Sequence, residues 1–198
     1  MAGFSVENFS AALKTSGARS NLFTVTIGAI PAGLGVGVSN NISKAARNET
    51  KFEFLCNATT LPGYVQGEVP VSYFGRTIYF AGDTTFGDWS TTILNDEGAV
   101  IRRGIENWME QINGSSGNQR STGIGVAHNG LTTTAQIKTY SIDGSHETTV
   151  GTTKSPITQV DLKGVWPSNL SPIELSHDAT NTIETFTCTW QYQHAEHS

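Results

Sequence analysis

Charge is scarce in this 198-residue chain: Asp, Glu, Lys and Arg make up 15% of it, against 37% hydrophobic residues. A disordered chain is usually the reverse, apolar-poor and charge-rich, so a folded protein is expected. Basic residues are fewer still, 12 against 17 acidic ones, for a net charge of −5. The single adjacent pair is Arg102-Arg103. A protein that grips nucleic acid draws its affinity from cations set against phosphates, and this composition excludes that role. Cysteine is limited to Cys56 and Cys188, with neither metal spacing nor a disulfide framework. Both lie in strand-like runs and read as free buried thiols. No segment approaches the ~20 apolar residues of a membrane span, and no basic stretch followed by an apolar run opens the chain. The expectation is a protein made in a cytoplasm and kept there until assembly, without membrane insertion.

Catalytic signatures are missing as well. No serine sits in a G-x-S-x-G elbow. The histidines at the C-terminus enclose only Ala195-Glu196, which reads as a frayed tail and not as a helical zinc motif. Gly33-Leu34-Gly35-Val36-Gly37 lacks the lysine and the following helix of a phosphate cradle, so a flexible loop is expected. The densest acidic set is Asp83, Asp88, Asp96 and Glu97. Paired carboxylates run acid–base or glycosidic chemistry when their geometry allows. The simpler reading places Asp83 in a turn after Gly82 and Asp96 at a helix cap. No catalytic, cofactor-binding or metal-ligating residue is assigned, and no cofactor is expected.

What the chain does have is abundant Gly, Ser, Thr and Asn, favouring strands, turns and long loops. Ser5 caps a short helix carrying Val6, Phe9 and Leu13, with Gly17 beyond its end. Alternation predicts strands over Asn21 to Ile27, Lys51 to Asn57, Val65 to Phe74, Arg76 to Ala81, Phe86 to Leu94, Thr134 to Ile142, Gln159 to Trp166 and Thr182 to Tyr192. Two of these meet at Gly75. One long helix is predicted from about Asp96 to Ile112, its apolar stripe formed by Val100, Ile101, Ile105, Trp108, Met109 and Ile112. Three intervals, 31–49, 114–129 and 142–157, read as long loops. The fold class is mainly β: one domain over 1–198, an antiparallel β-barrel or sandwich with one packed helix and long assembly loops.

One stretch goes beyond generic β structure. Phe52-Glu53-Phe54-Leu55-Cys56 leads to Leu61-Pro62-Gly63, then Val71-Ser72-Tyr73-Phe74-Gly75-Arg76. Ala81-Gly82-Asp83-Thr84-Thr85-Phe86-Gly87-Asp88-Trp89 follows, then Leu94-Asn95-Asp96 and Glu106-Asn107-Trp108-Met109. Gly17 to Phe23, Trp166 to Ile173 and Ile183 to Phe186 extend the likeness over most of the chain. This order resembles the tail-tube proteins of contractile-tailed bacteriophages of the T-even type. The same fold family supplies the tubes of contractile bacteriocins and of type VI secretion. The resemblance implies a structural, non-enzymatic subunit forming hexameric rings that stack into a hollow conduit, a hairpin from each subunit joining one inner barrel. It also implies sheath, baseplate and tail-terminator partners, DNA passing through the lumen without specific binding, and a place in the virion tail after assembly in the host bacterial cytoplasm. The loops are longer than the family pattern.

The residues are compatible with such a tube. Ser72 to Phe80 carries one charge, Arg76, in an aromatic-rich run whose edges would template pairing with other chains. Alternation sets Val65, Val69, Val71 and Tyr73 on one face, expected to pack inward. Gln66, Glu68, Pro70 and Ser72 fall on the other, and Gln66, Glu68 and Ser72 are expected to line the lumen. Ile101, Ile105, Trp108 and Met109 are expected to pack the helix on the barrel, with Arg102, Arg103 and Glu106 free to meet a sheath or a neighbour. Two readings of other kinds remain: the inner tube of a contractile injection or type VI secretion machine, and a monomeric β-sandwich binding module with exposed aromatics on a concave face. A hydrolase built on Asp83 and Asp88 is a third.

Overall fold

The computed structural model describes residues 5–13, 17–28, 51–117, 130–142 and 156–198. In chain order these form α1 (Val6–Ala12), β1 (Phe23–Ile27), α2 (Lys51–Leu55), β2 (Cys56–Thr59), β3 (Tyr64–Tyr73), β4 (Arg76–Phe86), β5 (Trp89–Leu94), α3 (Val100–Ile112), β6 (Thr133–Thr139), β7 (Thr158–Leu170), β8 (Thr185–Gln191) and β9 (His194–His197). Most of the three long intervals, and the Gly33–Gly37 run, lie outside the described residues.

Two antiparallel units result. Seven strands form one sheet in the order β1-β6-β7-β8-β5-β2, with β9 also on β7, while among the described residues β3 and β4 pair only with each other. Among the described residues the seven-stranded path does not close on itself, so the body is sandwich-like and not a barrel. The long strand β7 is the spine. Its first half pairs with β6 on one edge, and along the other it meets β9 and then β8, in a register unbroken from Val160↔His197 to Trp166↔Gln191. Gly164, at φ +70°, lies where β8 gives way to β9. A Cβ there would come within 2.5 Å of the Gln193 side chain, so glycine is required on both counts.

The alternation in the sequence places the core. Val25 and Ile27 of β1, Ala135 and Ile137 of β6, Val160, Leu162 and Val165 of β7, and Phe186, Cys188 and Trp190 of β8 are buried in one cluster. Trp89 and Ile93 of β5 join them. Helix α3 adds Ile101, Ile105 and Trp108, which are buried, and Met109 and Ile112, which are partly buried. Three tryptophans meet at the centre: Trp190 lies 5.8 Å from Trp89 and 5.9 Å from Trp108 between ring centroids. Each indole N–H is satisfied: Trp89 donates to Thr59 Oγ1 (2.9 Å), Trp190 to Thr91 Oγ1 (2.9 Å) and Trp108 to the Leu131 carbonyl (3.0 Å). A large apolar ring with its one polar atom paired is the arrangement that makes a buried tryptophan stabilising.

Four expectations need correcting. The Lys51–Asn57 strand is instead the helical turn α2 followed by β2. Phe52, Leu55 and Cys56 stand at i, i+3 and i+4, so the same apolar residues also suit a helix, and Phe52 is buried edge-on to Trp190 at 6.3 Å. The strand from Phe86 is interrupted, since Gly87-Asp88 separates β4 from β5. Helix α3 begins at Val100: Ala99 adopts a left-handed conformation and the Asp96 carboxylate accepts from the Val100 N–H at 3.0 Å. Asp96 is thus a cap, but one turn upstream of the first helical residue. The C-terminal histidines are not a frayed tail, because β9 pairs with β7 over four residues. Helix α1 has the Ser5 cap, its side chain accepting from the Asn8 N–H at 3.1 Å.

Candidate assembly surface

Strands β3 and β4 form a two-stranded arm outside the core. All ten residues of β3 are exposed, and β4 is exposed except for Gly82 and Phe86. A two-stranded sheet with neither face buried is marginal on its own in water. This one spans nine registered pairs, from Tyr64↔Phe86 to Tyr73↔Arg76. The connection is the two-residue turn Phe74-Gly75, both at positive φ (+46° and +75°), as in the mirror-image turns that match strand twist.

Cross-strand pairs share a face, so the register separates the arm into two chemistries. One face carries Val65, Val69, Val71 and Tyr73 from β3, with Ile78 and Phe80 opposite Val71 and Val69, and Arg76 opposite Tyr73. The other carries Gln66, Glu68, Pro70 and Ser72, opposite Thr84, Ala81, Tyr79 and Thr77. Among the described residues neither face is covered by the core, and the side chains of both are exposed. Gln66 is fixed along its face: its amide N–H donates to the Gly82 carbonyl and its Oε1 accepts from Thr84 at 2.8 Å. Asp83 belongs to β4, not to a turn, and sits at a register shift opposite Gly67.

The arm is rooted in aromatics. Tyr64 packs edge-on against Phe86 (5.9 Å) and His197 (5.2 Å), and Phe86 meets Tyr192 at 5.8 Å. Burial, and then the nearby Asp88 carboxylate, raise the Tyr192 phenol above its ordinary range. Sequence reading missed this root, because His197 reaches Tyr64 only through the β7–β9 pairing. It also left Arg102 free for partners. In the fold Arg102 is spent within the subunit, pairing with Glu106 (3.0 Å), donating to the Ser171 carbonyl (3.1 Å) and lying 5.4 Å above the Phe186 ring. Arg103 and Glu106 are exposed.

Among the described residues, Asp83, Asp88 and Asp96 do not converge on a reactive centre. Asp83 lies on the arm, Asp88 accepts from Gln191 at 2.6 Å, and Asp96 caps α3. Among the described residues no group of three or more His, Cys, Asp or Glu is placed to hold a metal ion. Cys56 and Cys188 are free and buried. Burial pushes the Cys56 thiol up to about 12 and the Cys188 thiol higher still.

A sandwich body carries a long strand pair that is exposed on both faces and, among the described residues, unpaired at both outer edges. Residues 18–197 match the model of the phage tail tube protein family, and the chain belongs to that family. It is 32% identical over 138 residues to the tail tube protein gp19 of Enterobacteria phage T4, covering 70% of this chain and 77% of the relative. The tail tube protein of Serratia phage KSP90 is 28% identical over 149 residues, covering 75% and 76%. The fold is shared with a chain of the sheath–tube complex of an extracellular contractile injection system (TM-score 0.56, 11% identity, 99% of both chains). It is also shared with a chain of the anti-feeding prophage baseplate (TM-score 0.57, 11% identity, 91% and 95%). The chain is a structural tail tube subunit.

Proposed function

We propose that six copies close into a ring, that rings stack into a hollow tube, and that the β3–β4 arms stand side by side as one continuous inner barrel. The observation that carries this is the arm itself, a long hairpin exposed on both faces, with both outer edges unpaired among the described residues. Such edges aggregate unless charge, proline or a partner covers them. Head-to-tail pairing of identical arms around an axis covers every one, and stacking leaves an open end from which a filament grows.

Within that barrel, Gln66, Glu68 and Ser72 face the lumen together with Thr77, Tyr79, Ala81 and Thr84. The apolar face turns toward the ring bodies. The lumen face then carries Glu68 and no Lys or Arg. A conduit for DNA works by not holding its cargo, and a wall free of cations offers phosphates nothing to bind. The subunit works without catalysis. Ile101, Ile105, Trp108 and Met109 hold α3 to the body, leaving Arg103, Glu106 and Glu110 outward for a sheath. A baseplate and a terminator close the two ends. The virion tail, assembled in the host bacterial cytoplasm, is favoured over a secretion machine, since the relatives at 28–33% identity are phage tail proteins.

Negative-stain electron microscopy of the purified chain over a concentration series tests this. Six-fold rings or hollow tubes are expected. Monomers at every concentration, even with a nucleating baseplate added, would exclude the assembly role.

A further inference from the structure

The tip of the arm is built against the interest of the isolated subunit. Phe74 adopts φ +46°, a region that suits Gly, Asn or Asp and penalises a bulky side chain. The residue is also 89% exposed, its ring edge-on to Tyr73 at 4.5 Å between centroids. Backbone strain and an exposed phenyl at one residue are both unfavourable for the monomer. Backbone outliers of this kind persist where the surrounding structure has a use for them.

We propose that Phe74 is the axial anchor of the assembly, seated on the root of an arm in the next ring, so that the receiving surface belongs to a second copy of this chain. This rests on the ring-and-tube reading above. Rotation about a ring axis keeps every tip at one level, and barrel strands run obliquely from rim to rim. All tips therefore mark one rim and all roots the other. Strands of this length separate them by roughly 30 Å. Head-to-tail stacking brings tips of one ring against roots of the next.

The two ends match in chemistry. The tip offers Tyr73 and Phe74. The root offers Tyr64, packed edge-on against Phe86 and His197, and Leu61 three residues before it, each 53% exposed. The only cation of the arm, Arg76, sits at the tip, and an exposed carboxylate, Asp88, follows directly after the root. Aromatic groups meeting aromatic groups, with a cation approaching an anion, describe a contact that closes only between different copies.

Phe74→Asn separates this role from folding, because Asn-Gly is the favoured pair for such a turn. The variant subunit is expected to melt no lower than the parent and to form rings. Its tubes are expected to be lost, or to need at least tenfold more protein. Phe74→Trp is expected to keep the tubes. Phe74→Cys combined with Leu61→Cys, mildly oxidised, is expected to give a reducible ladder running past six subunits, since Cys56 and Cys188 are buried. Normal tubes from Phe74→Asn would overturn the anchor and leave the ring-and-tube reading intact. Loss of rings as well, with melting unchanged, would make the tip a lateral contact and overturn its axial role. A parent chain forming neither rings nor tubes would overturn both.

Discussion

Gly67 and Gly82 face one another across the β3–β4 arm so closely that a Cβ on Gly82 would stand 3.1 Å from the Gly67 carbonyl carbon. A Cβ on Gly67 would likewise meet the Asp83 carbonyl oxygen at 3.0 Å. The neighbours are backbone atoms, which do not swing aside as a flexible side chain does. The pair marks the register shift between Gln66↔Thr84 and Glu68↔Ala81, where two residues of β4 oppose one of β3. Such bulges bend a ribbon and increase its twist, so these glycines set how the arm leaves the body.

Gly82→Val is therefore expected to disturb the arm and not the core. Assembly should fall at least tenfold in a sedimentation or light-scattering assay, while the melting temperature of the subunit moves by no more than about 3 °C, within about 1 kcal/mol for a chain of this size. A variant that assembles normally would remove the bulge from the account.

The Trp190–Thr91 hydrogen bond is a test of the core. Thr91→Val leaves an indole N–H buried without an acceptor, which costs about 1–3 kcal/mol. Trp190→Phe in that background removes the orphaned donor. The double variant should lose less stability than the sum of the singles, measured by denaturant unfolding.

The two thiols give a pH dependence. Desolvation raises Cys56 from 9.0 to about 12, and Cys188 further. Below pH 9 folded and unfolded chains both hold these protons, and the thiols contribute no slope. Above it the unfolded chain releases protons that the folded one keeps, so stability falls as pH rises from about 9 toward 12. Cys188→Ala should flatten part of that decline. At pH 8 neither thiol should react with a chromogenic disulfide until denaturant is added.

Arg102→Ala tests whether an apparent surface cation belongs to the fold. It loses a carbonyl hydrogen bond and the contact above Phe186, and should cost about 1–2 kcal/mol. Arg103→Ala, whose side chain is exposed, should stay within about 0.5 kcal/mol. Equal effects would return Arg102 to the solvated face.

Much of this fold is visible in the sequence because one face of each body strand is buried, and burial writes period-two alternation into Val25-Ile27 or Phe186-Cys188-Trp190. The same logic gives the α3 stripe. It fails where one pattern suits two periods, as at Phe52 to Cys56, or where polar residues gain a place only through pairing, as at His194 to His197. The arm was legible as two strands meeting at Gly75. Its separation from the core was not, because its apolar face looks like any inward-facing one until the chain offers nothing for it to cover. The role of Arg102 was hidden because Ser171 and Phe186 approach it from distant parts of the chain.

A cryo-EM reconstruction of assembled tubes, read at the β3–β4 arms, decides whether those arms build the inner wall. The expected map shows each arm hydrogen-bonded on both edges to arms of neighbouring copies, with Gln66, Glu68 and Ser72 toward the lumen. Arms on the outside of the tube, or Glu68 packed into the subunit bodies, would contradict it.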